Sequence, residues 1–131
     1  MPTSRKKIAR AFKTALFSKG AKKARIKDEE LCAAISEVMR GQAADLGGGV
    51  YKKRLNENMH RSIILAEGGK VWVYQYLFAK KDRDNIEADE LEAFRKLAKA
   101  YEALTDQQIG GLVTNGDFVE ICHGEKDQIQ N

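Results

Sequence analysis

The stretch that most constrains the fold is "VWVYQYLFA", Val71–Ala79, a nine-residue run of aromatic and β-branched residues. Such residues favour strands. Both faces of this strand would be apolar, so it needs cover on both sides and belongs in the interior of a sheet. At 131 residues the chain is expected to form one domain, residues 1–131, and it is long enough to build a core without disulfides.

Other strands and helices are predicted around this central strand. Strands are predicted at Val50–Leu55 and Arg61–Ala66, and "EGGK" is predicted to form a tight turn before Val71. Helices are predicted from Asp28 to Gly41 and over 91–104, then a short one opened by a Thr105/Gln108 capping box, with "DFVEIC" as a last short strand. Residues 8–25 fit either one helix or a short strand leading into a helix. The order indicates an α+β domain: a helical hairpin, an antiparallel sheet, a C-terminal helix and a short tail. Residues 1–10 and 124–131 are expected to be flexible.

Charge is distributed unevenly along the chain. Residues 1–27 carry ten Lys/Arg and no acid, whereas residues 87–131 carry four Lys/Arg against ten Asp/Glu. This asymmetry favours an electrostatic field that steers a polyanion to one face of the protein.

The basic N-terminal segment also has the composition of a mitochondrial presequence. No apolar run is long enough to span a membrane, and we expect Cys32 and Cys122 to be reduced thiols of an intracellular protein.

The segment "GGGVYKKRL" (47–55) places three adjacent cations on a predicted strand. Alternation puts Lys52 and Arg54 on one face and Lys53 on the other. If the strands pair in order, Arg54 and Arg61 lie near one turn, and Lys80 and Arg83 come close to them at the same end of the sheet. Either these cations form one patch for a polyanion, with little role in packing, or they are ordinary solvated charges. The glycines are interpreted as a sharp turn.

Other motifs in the sequence give weaker evidence about function. Tyr74 and Tyr76, placed by alternation on the same face as Trp72, are either base-stacking platforms or core. No H-E-x-x-H motif, Cys/His cluster, phosphate-binding loop or G-x-S-x-G elbow is present, so we expect no metal and no cofactor, although Ser/His/Asp chemistry is not excluded by spacing.

Three segments, "DLGGGVYKKRL", "RSIILAEGGKVWVYQYLFAKKDRDNI" and "ADELEAFRKLAKAY", resemble the RelE/HigB-type toxins of bacterial type II toxin–antitoxin modules. The resemblance covers roughly residues 11–122 and argues against a presequence. It implies a RelE/ParE-like fold, with an N-terminal helical hairpin packed on a small twisted antiparallel sheet. It also implies a cytoplasmic bacterial endoribonuclease that cleaves mRNA, usually on the ribosome, without a membrane. The implied partner is a cognate antitoxin, often a helix-turn-helix protein.

The resemblance also implies roles for the cations. Catalysis would rest on Lys52, Arg54, Arg61 and Lys80, and RNA binding on Lys53, His60, Lys81 and Arg83. The reaction would be attack of a ribose 2′-hydroxyl on the adjacent phosphate, with cations stabilising the transition state. Two departures leave the general base unassigned: the loop "NENMH" is short, and Lys80 and Lys81 stand where relatives often have Tyr or His. The alternatives are a non-enzymatic nucleic-acid or ribosome-binding module and a ParE-like toxin directed at gyrase.

Overall fold

The computed structural model describes residues 9–122. Along the chain the elements are β1 (Arg10–Thr14), α1 (Ala15–Lys23), α2 (Asp28–Met39), β2 (Ala44–Gly47), β3 (Val50–Leu55), β4 (His60–Leu65), β5 (Val71–Ala79), α3 (Ala88–Glu102), α4 (Asp106–Thr114) and β6 (Phe118–Ile121). All the strands join one six-stranded sheet in the order β2-β3-β4-β5-β1-β6.

Strand β5 lies in the interior of this sheet, as its apolar sequence predicts. It pairs antiparallel with β4 and parallel with β1. Tyr74 is fully buried on one face and Val73 on the other. The prediction of a central strand covered on both sides is therefore confirmed.

Helices cover both faces of the sheet. Phe17 of α1 and Leu31 and Ile35 of α2 pack with Ile64 and Tyr74 in one core cluster. On the opposite face, α3 packs against β3, β4 and the end of β5, and α4 packs against β1 and β6. We call these the α1/α2 face and the α3 face.

The expected N-terminal helical hairpin on an antiparallel sheet is wrong in two respects. The described chain begins with strand β1 before either helix, and β1 runs parallel to β5, so the sheet is mixed. Strand β1 lies between β5 and β6, and the full burial of Phe12 there explains why this short segment joins the sheet. Strand β2 has no strand pattern of its own in the sequence, and its pairing with β3 makes it a strand.

Several local sequence signals are confirmed. Thr105 and Gln108 form the capping box of α4, and Gly41 takes a positive φ of 87° after α2. The predicted last strand is β6. The flexibility expected for 1–10 and 124–131 falls outside the described residues except at 9 and 10, where Arg10 already belongs to β1.

The two cysteines are not the reduced thiols that we expected. Cys32 of α2 and Cys122, directly after β6, form a disulfide across a sequence separation of 90 residues. While oxidised, a loop of this length stabilises the fold by about 4–5 kcal/mol in the chain-entropy description. No sequence spacing predicts this pairing, because β1 and β6 bring the chain ends together only in the folded sheet.

Within residues 9–122, no helix is both long enough and apolar enough to cross a membrane.

Candidate active site

Strand register brings the predicted cations to one end of the sheet. Arg54 lies opposite Arg61, which lies opposite Phe78, and in the next row Leu55, His60 and Ala79 are partners. The convergence expected from antiparallel pairing is therefore confirmed for Arg54, Arg61 and the end of β5, which leads into Lys80. We call this region, with Lys80 and Lys81 at the end of β5, the cationic sheet end.

On the α3 face, the cationic sheet end presents Arg54 to solvent. Within residues 9–122, its side chain is exposed and makes no hydrogen bond or ion pair. Lys52 lies on the same face and donates a 3.3 Å hydrogen bond to Asn85 Oδ1. An unpaired guanidinium beside an ammonium is a geometry suited to a phosphate group.

Arg61 occupies a different position from the solvated one that was expected. Its residue is only 8% exposed, and its Nη1 donates to the carbonyl oxygens of Asn58, at 3.0 Å, and His60, at 3.3 Å. The expectation that this cation has little role in packing is therefore wrong. Arg61 holds the turn between β3 and β4, at the strand position directly opposite Arg54.

That turn, residues 56–59, has an unusual backbone. Asn56, Glu57 and Asn58 have φ values of 56°, 52° and 72°. Non-glycine residues in this region cost about 1–2 kcal/mol each, less for Asn, and persist where the surroundings hold them.

Bonds from three elements supply that support. Glu30 Oε2 of α2 accepts from Asn56 N at 2.6 Å, Arg61 of β4 donates as described, and Lys80 N at the end of β5 donates to Met59 O at 2.9 Å. The turn is thus held rigidly at the cationic sheet end.

His60 lies on the α1/α2 face of this turn. Its Nδ1 is 3.2 Å from Asn56 Nδ2, and an amide donor there leaves the ring proton on Nε2. Together with exposed Lys80 and Lys81, His60 lines a cleft of about 790 Å³ between α1, the turn and the end of β5. The predicted residues therefore divide between the two faces of the sheet end.

Lys53 and Arg83 are engaged with their own fold. Lys53 Nζ forms a 2.7 Å ion pair with Glu37 and donates to Gln42 O at 2.9 Å. Arg83 pairs with Glu90 at 2.6 Å and donates to Tyr76 Oη at 3.1 Å, which raises the pKa of Arg83 and lowers that of Glu90. These two cations fix α2 and the 80–87 loop against the sheet.

The predicted aromatic face is divided by a bulge. A register shift between Ile63 and Ile64 leaves Trp72 and Tyr74 on the α1/α2 face but turns Tyr76 to the α3 face. Tyr74 is buried and donates to Leu31 O at 2.7 Å, and burial raises its pKa. The alternation that placed all three rings on one face is therefore wrong, and Tyr74 belongs to the core.

Sequence reasoning missed three participants. Lys23 of α1 lines the cleft, Asn85 contacts Lys52, and Glu30 supports the strained turn. The acid-free opening of the chain was a signal for Lys23, whereas no local pattern marks the other two. Among residues 9–122, no group of three or more His, Cys, Asp or Glu side chains is placed to hold a metal ion.

Comparison with known proteins bears on the family to which this chain belongs. No curated protein matches the chain. The sequence model of the family described as "RelE toxin of RelE / RelB toxin-antitoxin system" matches residues 9–121, which include every strand and helix described above. The chain therefore belongs to the RelE family of toxins of toxin–antitoxin systems.

Proposed function

We propose that this RelE-family toxin is an endoribonuclease that cleaves mRNA, on the ribosome, in the bacterial cytoplasm. The observation that carries the proposal is the exposed guanidinium of Arg54, which is unpaired within residues 9–122. It lies beside Lys52 and opposite Arg61, at the sheet end that Lys80 also reaches. Cations that meet at one place on a rigid sheet are the arrangement needed to bind a phosphate and stabilise added charge on it.

The substrate itself brings the nucleophile. The ribose 2′-oxygen attacks the adjacent phosphorus, the bond from phosphorus to the 5′-oxygen breaks, and the upstream product carries a 2′,3′-cyclic phosphate. One proton leaves the 2′-hydroxyl and one is delivered to the departing 5′-oxygen. Lys52 and Arg54 stabilise the pentacoordinate phosphorus, and Arg61 adds charge from the adjacent strand. Lys80 and His60, on the other side of the turn, are the groups proposed to accept the proton of the 2′-hydroxyl and to deliver one to the 5′-oxygen.

The same surface gives a role to the antitoxin. We propose that a cognate antitoxin, of the helix-turn-helix class, covers the cationic sheet end with acidic side chains. Lys19, Lys22 and Lys23 of α1 are also exposed. The attraction between such exposed cations and the acidic side chains of an antitoxin is screened over about 8 Å at physiological ionic strength. Binding of the antitoxin should therefore weaken as salt rises.

Product-end mapping tests the reaction. Purified toxin is incubated with RNA, free and on ribosomes, and cleavage ends are identified by mass spectrometry. A matched RNA carries 2′-deoxyribose at the cut site. We expect 2′,3′-cyclic or 3′-phosphate ends and no cleavage at the deoxy position.

Cleavage at that position, or a free 3′-hydroxyl, would refute 2′-hydroxyl attack. Growth arrest without any RNA cleavage would instead favour a gyrase-directed toxin, which a DNA supercoiling assay detects. Binding to RNA or ribosomes with neither cleavage nor growth arrest would favour the non-enzymatic module.

A further inference from the structure

The cleft on the α1/α2 face is a second feature of the cationic sheet end. Its walls come from the end of α1, the turn 56–59 and the end of β5, and its lining includes Lys23, Ala24, Met59, His60, Lys80 and Lys81. We propose that this cleft is a subsite for one nucleotide of single-stranded RNA next to the cut. This inference rests on the proposed function and adds the place where a neighbouring nucleotide is bound.

The cleft lies next to the candidate active site, on the other face of the cationic sheet end. His60 and Ala79, which line it, form the pairing row directly beyond the row of Arg54, Arg61 and Phe78. Neighbouring rows are about 3.4 Å apart along a strand, and their side chains point to opposite faces. An RNA strand whose phosphate lies at Arg54 therefore enters the cleft by passing around the turn.

The charges around the cleft favour a phosphate. Lys23, Lys80 and Lys81 contribute three ammonium groups, against the two carboxylates of Glu57 and Asp84. The last turn of helix α1, which reaches the cleft, holds the two lysines Lys22 and Lys23, and the first turn of the helix carries no acid. A phosphate that follows the cut site along RNA would meet Lys23 there.

The apolar lining suits the face of a base. Met59 is 54% exposed, although its backbone is held by hydrogen bonds to Asn56 O and from Lys80 N. The small residues Gly20, Ala24 and Ala79 leave the rest of the volume open. At about 790 Å³ the cleft lies in the range of about 300–1,000 Å³ typical of small-molecule sites.

The polar edge of the base also has a partner. The contact between Asn56 and Nδ1 of His60 leaves Nε2–H of the ring to donate a hydrogen bond. The strained turn fixes Met59 and His60 in one arrangement before RNA arrives. The subsite thus combines a cation for phosphate, an apolar surface for a base and one donor for its edge.

The test uses the full chain and two variants outside the proposed catalytic set. Lys23→Ala removes the cation and Met59→Ala removes the apolar surface; both side chains are exposed. Lys96→Ala on α3 and Val113→Ala on α4, also exposed, are matched controls. The probe is a fluorescent single-stranded RNA with one 2′-deoxyribose at the mapped cut site, or the unmodified RNA if no cut is found, so that binding is measured without cleavage. Circular dichroism and thermal unfolding check each fold.

We expect both cleft variants to raise Kd severalfold over their controls. Lys23→Ala should also reduce the slope of log K against log salt by about 0.7, as for one lost contact to a single-strand phosphate. Met59→Ala should leave that slope unchanged. Equal Kd values for cleft variants and controls would overturn the subsite, as would a wild-type protein that does not bind the probe.

The outcomes separate this inference from the proposed function. Weakened binding in both cleft variants, with no cleavage of ordinary RNA by wild type, would support the subsite while the nuclease proposal fails. Unchanged binding in the cleft variants, with cleavage that depends on Arg54, would remove the subsite and leave the nuclease proposal in place.

Discussion

Strand β3 lies between two tight turns that have similar backbone geometry but different residue types. The turn before it uses Gly48 and Gly49, with φ values of 66° and 84°, which glycine adopts without strain. The turn after it places Asn56, Glu57 and Asn58 in the same left-handed region. One turn follows from its residue types, and the other is imposed by its surroundings.

Each turn is also held by an arginine. Arg95 of α3 donates to the carbonyl oxygens of Leu46, at 2.6 Å, and Gly47, at 3.2 Å, in the first turn. Arg61 donates to those of Asn58 and His60 in the second. The glycine turn joins β2 to β3 in the sheet, whereas the strained turn lies between the two faces of the cationic sheet end. Backbone strain therefore lies where we place the function, which agrees with the general tendency of strain to cluster at active sites.

The largest effect is expected at the strained end. Arg54→Ala removes a proposed phosphate ligand whose side chain makes no hydrogen bond or ion pair within residues 9–122, so RNA cleavage should fall about a hundredfold or more. The free energy of unfolding should stay within about 0.5 kcal/mol of wild type. Single-turnover cleavage and urea unfolding measure the two effects. Arg40→Ala, an exposed arginine after α2, is the control, and cleavage at wild-type rate by Arg54→Ala would move the site elsewhere.

At the glycine end the expected effect is on stability alone. A Cβ at Gly49 would lie 2.9 Å from the backbone nitrogen of Glu67, in addition to its positive φ. Gly49→Ala should therefore cost about 2–4 kcal/mol of unfolding free energy. Gly116→Ala has a similar φ but no atom within 4 Å, so it should cost only about 1 kcal/mol. Equal losses in urea unfolding would show that the close approach to Glu67 is unimportant.

The two arginine clamps give the most direct comparison of the turns. Arg61→Ala and Arg95→Ala each leave two backbone carbonyls without their donor, and each should cost about 1–3 kcal/mol of stability. Only Arg61→Ala should also lower the cleavage rate of the folded protein. Cleavage assays well below each variant's unfolding midpoint check this. Equal rates in both variants would make Arg61 a purely structural residue.

The smallest effect tests the strain itself. Glu57 has a φ of 52°, so Glu57→Gly should relieve strain and raise the free energy of unfolding by up to about 1 kcal/mol. Glu57→Ala removes the same carboxylate without freeing the backbone and should bring no such gain. Thermal unfolding compares the pair, and a Glu57→Gly protein less stable than Glu57→Ala would mean that the turn is not strained.

Local patterns in the sequence determined much of this protein. The apolar run Val71–Ala79 specified a central strand, and glycines at 48 and 49 specified the turn before β3. The Thr105/Gln108 capping box marked α4. Antiparallel order was enough to bring Arg54, Arg61 and Lys80 to one sheet end, and the motifs around them resembled the family that the comparison shows. These features depend on neighbours in the chain or on adjacent strands.

Tertiary structure alone decided the rest. Ala11 pairs with both Trp72 and Ile121, and Cys32 bonds to Cys122, so β1 and the disulfide depend on contacts between distant segments. The bulge between β4 and β5, which turned Tyr76 away from Tyr74, has no residue signature of its own. The tertiary structure also decided which cations form ion pairs. Lys53 pairs with Glu37 and Arg83 pairs with Glu90. Arg54 pairs with no acid within residues 9–122. The periodicity of a sequence indicates the face of the strand on which a side chain lies, but the packing of distant segments determines which residue it contacts there.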